Sequence, residues 1–289
     1  MRHTTQYSQK EVHKNMVIGI VENLRGSYDF ANRSLKSFSD WLILITICLL
    51  YAAGAALMFF GILGFVVTSI ETLTPGASGI VPAAGMVESL PFAEMMGAFS
   101  LVGLCVGAVL SLIFGILVTG LMIRVYRGGE LTLGAWGGMF LDGLLACIIS
   151  IGYFIPYFVI SVLLNFGPMT NAAYVFAAMI IELIVVLVTS LVLYMGLIRF
   201  AKEQRFGAAF QMKELFNIIG TIGWLRYLAN VIVVGVVILV IVIVLMLILV
   251  VGWILLVAIM PLLIIWEAKF FANLYESAVA GAAPAAIEE

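Results

Sequence analysis

The chain has 289 residues, of which 64% are hydrophobic and only 10% charged, and its mean hydropathy is +1.21. Ordinary soluble chains carry about 25% charged residues, so a water-soluble fold is excluded. The formal net charge of −2 gives no drive toward nucleic acid or an acidic partner, and what informs is where the charges sit.

The N-terminal tail, residues 1–40, begins with a polar stretch. The apolar run that follows is too long for the core of a signal peptide, so the first span is expected to serve as its own insertion signal. Within the tail, Val12, Met16, Ile20 and Leu24 recur every four residues with Val17 and Val21 beside them. Glu11, Lys14, Asn15 and Glu22 fill the other face. This pattern predicts an amphipathic helix over residues 10–25 that lies on the inner leaflet.

A membrane domain is expected over residues 41–277. Four apolar runs, at about 41–70, 95–123, 143–164 and 172–198, each exceed the roughly 20 residues that cross a bilayer; the last is interrupted only by Glu182. Residues 228–265 then run without a charge. A single helix over them would be about 57 Å long and would need a tilt near 60°, beyond the usual limit of about 40°. Two spans, at about 228–250 and 253–272, fit instead, with the reversal expected at Val251-Gly252-Trp253 because Gly tolerates a tight turn and Trp prefers an interface.

Six spans place every basic residue on one side. Arg2, Lys10, Lys14, Arg25, Arg33 and Lys36 precede the first span, and Arg124 and Arg127 follow the second. Arg199, Lys202, Arg205, Lys213 and Arg226 lie between the fourth and fifth, and Lys269 lies at the far end of the sixth. The positive-inside rule then puts both termini in the cytoplasm of a multi-pass cell-membrane protein; five spans would strand Lys269 outside. Weaker amphipathic patterns at residues 130–141 and 206–219 predict two more short cytoplasmic helices, and the recurring order of basic end, amphipathic segment and span raises an ancient hairpin repeat as an alternative origin. The outer loop 71–94, with Pro75, Pro82 and Pro91, reads as flexible, and residues 278–289 read as a disordered cytoplasmic tail. The fold class is therefore all-α, a polytopic integral membrane protein with six transmembrane helices and short cytoplasmic amphipathic helices.

Two stretches carry a resemblance. GLMIRVYRGGELTLGAWGGMFLDGLLACIISIGYFIP, residues 120–156, joins a basic span end, an aromatic-Gly interfacial segment, an Asp-Gly pair and a Tyr-x-x-Pro span. IRFAKEQRFGAAFQMKELFNIIGTIGWLRY, residues 198–227, is the second. Together with the last span and Tyr275 they resemble the archaeal and bacterial membrane proteins grouped as domain of unknown function 4013, over roughly residues 17–277. That family often has acidic residues just before the Trp of the interfacial segment, where this chain has Gly134-Ala135. The resemblance implies a polytopic membrane protein and supplies no mechanism.

Candidate chemistry rests on three carboxylates. A charge at mid-span costs about 2.5 to 3.5 kcal/mol on insertion scales, and Glu182 sits about 15 Å into its span at helical rise. Two readings stand: a proton or cation site, or a carboxyl hydrogen-bonded to a Tyr, Ser or backbone group of a neighbouring helix. Asp142, beside Gly143, reads as a helix N-terminal cap that also offsets the dipole. Glu267 reads as an interfacial ion pair with Lys269, Arg124 or Arg199. In the second span Gly103, Gly107, Ser111, Gly115 and Thr119 recur every fourth residue, which predicts a close helix contact, either within the chain or between copies of it. Pro156 and Pro261 are expected to kink the third and sixth spans.

Other chemistries are set aside. Cys48, Cys105 and Cys147 lack metal or redox spacing and read as small apolar residues. His3 and His13 both lie in the polar tail, so no His-based metal site or cofactor is implied. The Gly pairs at 128–129 and 137–138 read as interfacial turns rather than a phosphate loop. Trp41, Trp136, Trp224, Trp253 and Trp266 all read as interfacial anchors. Without paired acids, His or metal ligands in the loops, an enzyme is not expected. The favoured class is a non-enzymatic membrane organiser, or a scaffold subunit of a membrane complex. Its partners would be the bilayer and either further copies of itself or another membrane protein on the cytoplasmic side. The competing class is a transporter or channel for a small or amphiphilic solute, with Glu182 as its coupling residue and Pro156 and Pro261 at its gates.

Overall fold

The computed structural model describes residues 18–35, 37–73, 93–128, 135–168 and 171–282. Among these the chain is all-α: α1 (Ile20–Ser34), α2 (Phe38–Leu73), α3 (Ala93–Arg127), α4 (Trp136–Asn165), α5 (Ala172–Glu203), a 3-10 turn (Phe206–Phe210), α6 (Met212–Ile222), α7 (Trp224–Met246) and α8 (Leu249–Ala282). Among the described residues six segments are long and apolar enough to cross a membrane: Phe38–Phe65, Ser100–Arg127, Trp136–Asn165, Ala172–Glu203, Trp224–Met246 and Val251–Gly281. In their most hydrophobic windows only 11% to 28% of residues are buried within the protein. Side chains such as Phe60, Leu112, Ile151, Leu183 and Ile254 point outward, and surfaces that apolar are stable only against hydrocarbon. The chain is a multi-pass membrane protein.

It divides into two compact units, residues 42–118 and the remainder. The smaller unit is a helical hairpin closed by glycine. A Cβ on Gly54 would lie 2.7 Å from the Ser111 backbone nitrogen, and one on Gly61 would lie 2.6 Å from that of Leu104. One on Gly107 would collide with the Met58 nitrogen and lie 2.7 Å from the Gly54 carbonyl oxygen. α2 and α3 therefore meet backbone to backbone, a contact that only residues without side chains permit.

In the larger unit α4 and α5 run antiparallel, tied near one end by Tyr174 Oη donating to the Leu164 carbonyl at 2.7 Å. From the middle of α4, beside Gly196 of α5, Tyr153 Oη donates to the Ala209 carbonyl of the 3-10 turn. The Asn171 side chain caps α5 by accepting from the Ala173 and Tyr174 amides, satisfying donors that have no partner within the helix. Gln204 ends α5 in the left-handed region at φ 52°, and Gly223, at φ 88°, turns α6 into α7.

Three expectations are corrected here. First, the tail helix starts at Ile20 and continues to Ser34; residues 10–17 of the expected helix lie outside the described residues. Its buried face is Asn23, Ser27 and Ala31, while Val21 is 77% exposed. Asn23 Nδ2 donates to the Phe270 carbonyl at 3.0 Å, Asn273 Nδ2 donates to Asn23 Oδ1 and Ser27 Oγ, and Lys269 sits over the Phe30 ring. This stripe of small residues docks on α8, with Ile20, Leu24 and Phe30 half-buried at its edges and Val21 and Tyr28 exposed. Asn23→Ala is expected to cost about 1–3 kcal/mol by orphaning its buried partners. It should release α1 first, which faster proteolysis between α1 and α2 would report.

Second, the reversal between the last two spans falls at Leu247 and Ile248 rather than at residues 251–253. Gly252 lies inside α8, where a Cβ would collide with the Leu245 carbonyl that closes α7. This glycine permits close approach of two helices instead of making the turn. Third, Trp266 is no exposed anchor: it is 6% exposed and its indole donates to the Leu24 carbonyl at 3.1 Å. Trp136, Trp224 and Trp253 are exposed.

Several further expectations meet the described residues only in part. α4 begins at Trp136 and runs straight into its span, so residues 136–141 are no separate helix, and residues 129–134 lie outside the described residues. So do residues 74–92 of the loop, both histidines, and residues 283–289 of the tail, whereas α8 is helical as far as Ala282. Pro156 and Pro261 both lie inside unbroken helices.

Candidate functional site

The polar chemistry of the larger unit gathers where α3, α5 and α8 end and α4 and α6 begin. Arg127, at the end of α3, forms a two-pronged ion pair with Asp142 of α4, at 2.8 and 2.5 Å. Lys202, near the end of α5, donates to the Arg127 carbonyl at 3.3 Å and pairs with Glu276 of α8. Basic ends that the sequence places far apart thus share one side of this unit, and the late part of α8 is with them.

Beside this network is a cleft of about 550 Å³, lined by Arg199, Glu203, Lys213, Glu214, Asn217, Ile218, Tyr275 and Val279. α5 supplies Arg199 one turn before its end, so Glu203 falls at i+4, the spacing at which side chains on a helix meet. α6 buries Leu215, Ile219 and Ile222 and so presents Lys213, Glu214 and Asn217 beside Arg199. The Arg199 residue is only 4% exposed. Its Nε donates to Glu203 at 2.6 Å, and its Nη2 donates to Gln211 at 2.6 Å and to Glu214. Glu203 also accepts from Arg205 at 2.7 Å. Both carboxylates in the wall are therefore already engaged. Nη1 of Arg199 is buried without a partner among the described residues. An unmet buried donor is rare enough in folded proteins to need an explanation.

The three carboxylates expected to matter are not brought together. Glu182 accepts one hydrogen bond, from Ser161 of α4 at 2.8 Å; around it Met179, Ile181, Leu183 and Ile184 face outward. Asp142 lies well inside α4, which starts at Trp136, so it is no cap: its partner is Arg127. Glu267 accepts from Tyr194 Oη at 3.2 Å rather than pairing with Lys269, Arg124 or Arg199; Lys269 is taken up by Phe30. Tyr126, whose buried hydroxyl has no partner among the described residues, lies near enough to Glu267, Tyr194 and Tyr227 to interact with them electrostatically. Among the described residues no group of His, Cys, Asp and Glu is placed to hold a metal ion. The stripe Gly103, Gly107, Ser111 and Gly115 lies along α2, against Leu57, Met58, Gly54 and Tyr51; Thr119 falls in the larger unit, beside Cys147.

A family model described as a protein of unknown function (DUF4013) matches residues 103–266. The chain belongs to the DUF4013 family. No curated protein and no solved structure matches it. The DUF4013 match takes in the Arg127–Asp142 pair, the Ser161–Glu182 pair and the cleft residues from Arg199 to Ile218, whereas Glu267, Tyr275 and Val279 lie beyond it. Sequence reasoning missed the cleft. Its one local signal was the i,i+4 pair Arg199–Glu203 followed by an amphipathic segment carrying Lys213 and Glu214.

Proposed function

We propose that this DUF4013 protein is a non-enzymatic membrane organiser, a scaffold that holds copies of itself or another membrane protein. It would sit in the cell membrane with its basic side toward the cytoplasm, as the one-sided Lys and Arg distribution supports. The observation that carries the reading is the state of Glu182. One hydroxyl answers this mid-span carboxyl, and the groups beside it on α5 are apolar and outward-facing. Coupled transport needs a relay of polar groups through the membrane; a helix pair needs only one partner for one half-buried acid. The polar structure lies instead at the basic side, where α1 and α6 flank ion pairs in a folded platform suited to meeting a partner at the bilayer surface.

The discriminating experiment compares Glu182→Gln with the parent chain in proteoliposomes under an imposed pH gradient. Equal proton and solute flux is expected, because an amide replaces the carboxyl in the bond from Ser161. A parent-specific flux that the variant loses would restore Glu182 as a coupling residue and remove the scaffold reading.

A further inference from the structure

We infer that the cleft at the basic side binds a phosphate group, supplied either by a lipid headgroup or by free phosphate. The inference goes beyond the scaffold reading and does not depend on it. It follows from which hydrogen-bonding capacity in the cleft is already used. Glu203 accepts from Arg199 and Arg205, and Glu214 accepts from Arg199, so the acidic side of the cleft is neutralised from within the protein. What remains in the wall is mostly donor, beside the second oxygen of Glu214, whose side chain is 60% exposed. Arg199 keeps its Nη1 group, buried and unmet, on a residue that is 4% exposed. Lys213 is exposed in the same wall and makes no hydrogen bond or ion pair with any described residue. The Tyr275 hydroxyl and the Asn217 amide are on the same wall and also lack a partner among the described residues.

A fixed guanidinium edge, a mobile ammonium and neutral donors around one cavity match an anion with several acceptor oxygens, and Arg and Lys together are the usual pair for phosphate. A carboxylate ligand would meet only part of this donor set. A cation would face carboxylates already paired. The volume, about 550 Å³, falls in the range of small-ligand sites. The cleft also lies where α5 and α8 leave the span and α6 begins. α6 exposes Met212 and Phe216, and α7 exposes the adjoining Trp224, side chains of the kind that suit a membrane interface.

The test uses the full chain in neutral detergent. Native mass spectrometry counts bound molecules and thermal unfolding reports stabilisation, on addition of inorganic phosphate, of phosphatidylglycerol, or of diacylglycerol as the phosphate-free control. One phosphate-bearing molecule per chain and no diacylglycerol are expected. Lys213→Gln, on an exposed position, should weaken binding about tenfold, the scale of one charge-assisted hydrogen bond. Tyr275→Phe should weaken it less, and both variants should elute as the parent does. Stabilisation by phosphatidylglycerol alone assigns the site to a lipid headgroup, and stabilisation by inorganic phosphate assigns it to the free anion. The inference is overturned if neither binds, if diacylglycerol binds equally, or if Lys213→Gln and Arg199→Lys bind as the parent does.

Discussion

Gly107→Leu is expected to abolish assembly of the α2–α3 hairpin, and even Gly107→Ala should cost about 3 kcal/mol or more. The added atom would fall on the Met58 nitrogen and within 2.7 Å of the Gly54 carbonyl oxygen. These are backbone atoms of a neighbouring helix, so relief requires the two helices to separate and give up the dispersion contacts that join them in lipid, where no hydrophobic drive substitutes. Gly103 supplies the control. Its Cβ would meet only the Leu57 carbonyl, at 3.4 Å, so Gly103→Ala should cost less than about 1 kcal/mol. Denaturation of the two alanine variants in mixed micelles should give well-separated midpoints; equal midpoints would mean that the helices do not pack along this line.

The Arg127–Asp142 pair has the second largest expected effect. Its side chains are 28% and 15% exposed, and both prongs are short. Asp142→Asn removes the charge and leaves a partly buried guanidinium whose Nε already lacks a partner. Solvent screening at this exposure trims the cost of a fully buried break to about 2–3 kcal/mol. The pair Arg127→Met and Asp142→Leu, made together, should cost less than either single change, because apolar groups of similar size leave nothing unpaired. A double-mutant cycle on the unfolding midpoint measures this directly. Strict additivity would show that the pair is incidental.

How much of this was legible in the sequence follows from what each reading needed. Spans are a matter of length and apolar composition, which are local, so the six segments could be read from the chain, and Lys269 could be used to split the long apolar run. The place of the split could not. Gly252 looked like a turn because glycine serves both turns and close approaches, and only the position of Leu245 distinguishes the two. The small-residue stripe of α3 was visible as a period of four, yet its partner was not, since Gly54 and Gly61 on α2 do not repeat that period.

For α1 the bounds and the docking face were not legible. Amphipathic reasoning laid its apolar face on the inner leaflet and left open what the other face would meet. It is Asn23, Ser27 and Ala31 that turn toward α8, a contact across some 250 residues that no local pattern carries. Asp142 was read as a cap because the span was taken to begin beside it, whereas the helix begins at Trp136. Ser161 as the partner of Glu182, and Gln211 and Glu214 as partners of Arg199, depend on how helices and turns fold back on one another, which no local pattern carries.

The scaffold reading is tested most directly by extracting the full chain from its own membrane in mild detergent after brief cross-linking, then measuring the mass of the particle and mapping the cross-links. The expected result is a particle of defined stoichiometry, either an oligomer or a complex with one membrane partner, with cross-links concentrated on α1, α6 and the last turns of α8. A clean monomer that moves a specific solute across proteoliposomes would contradict it.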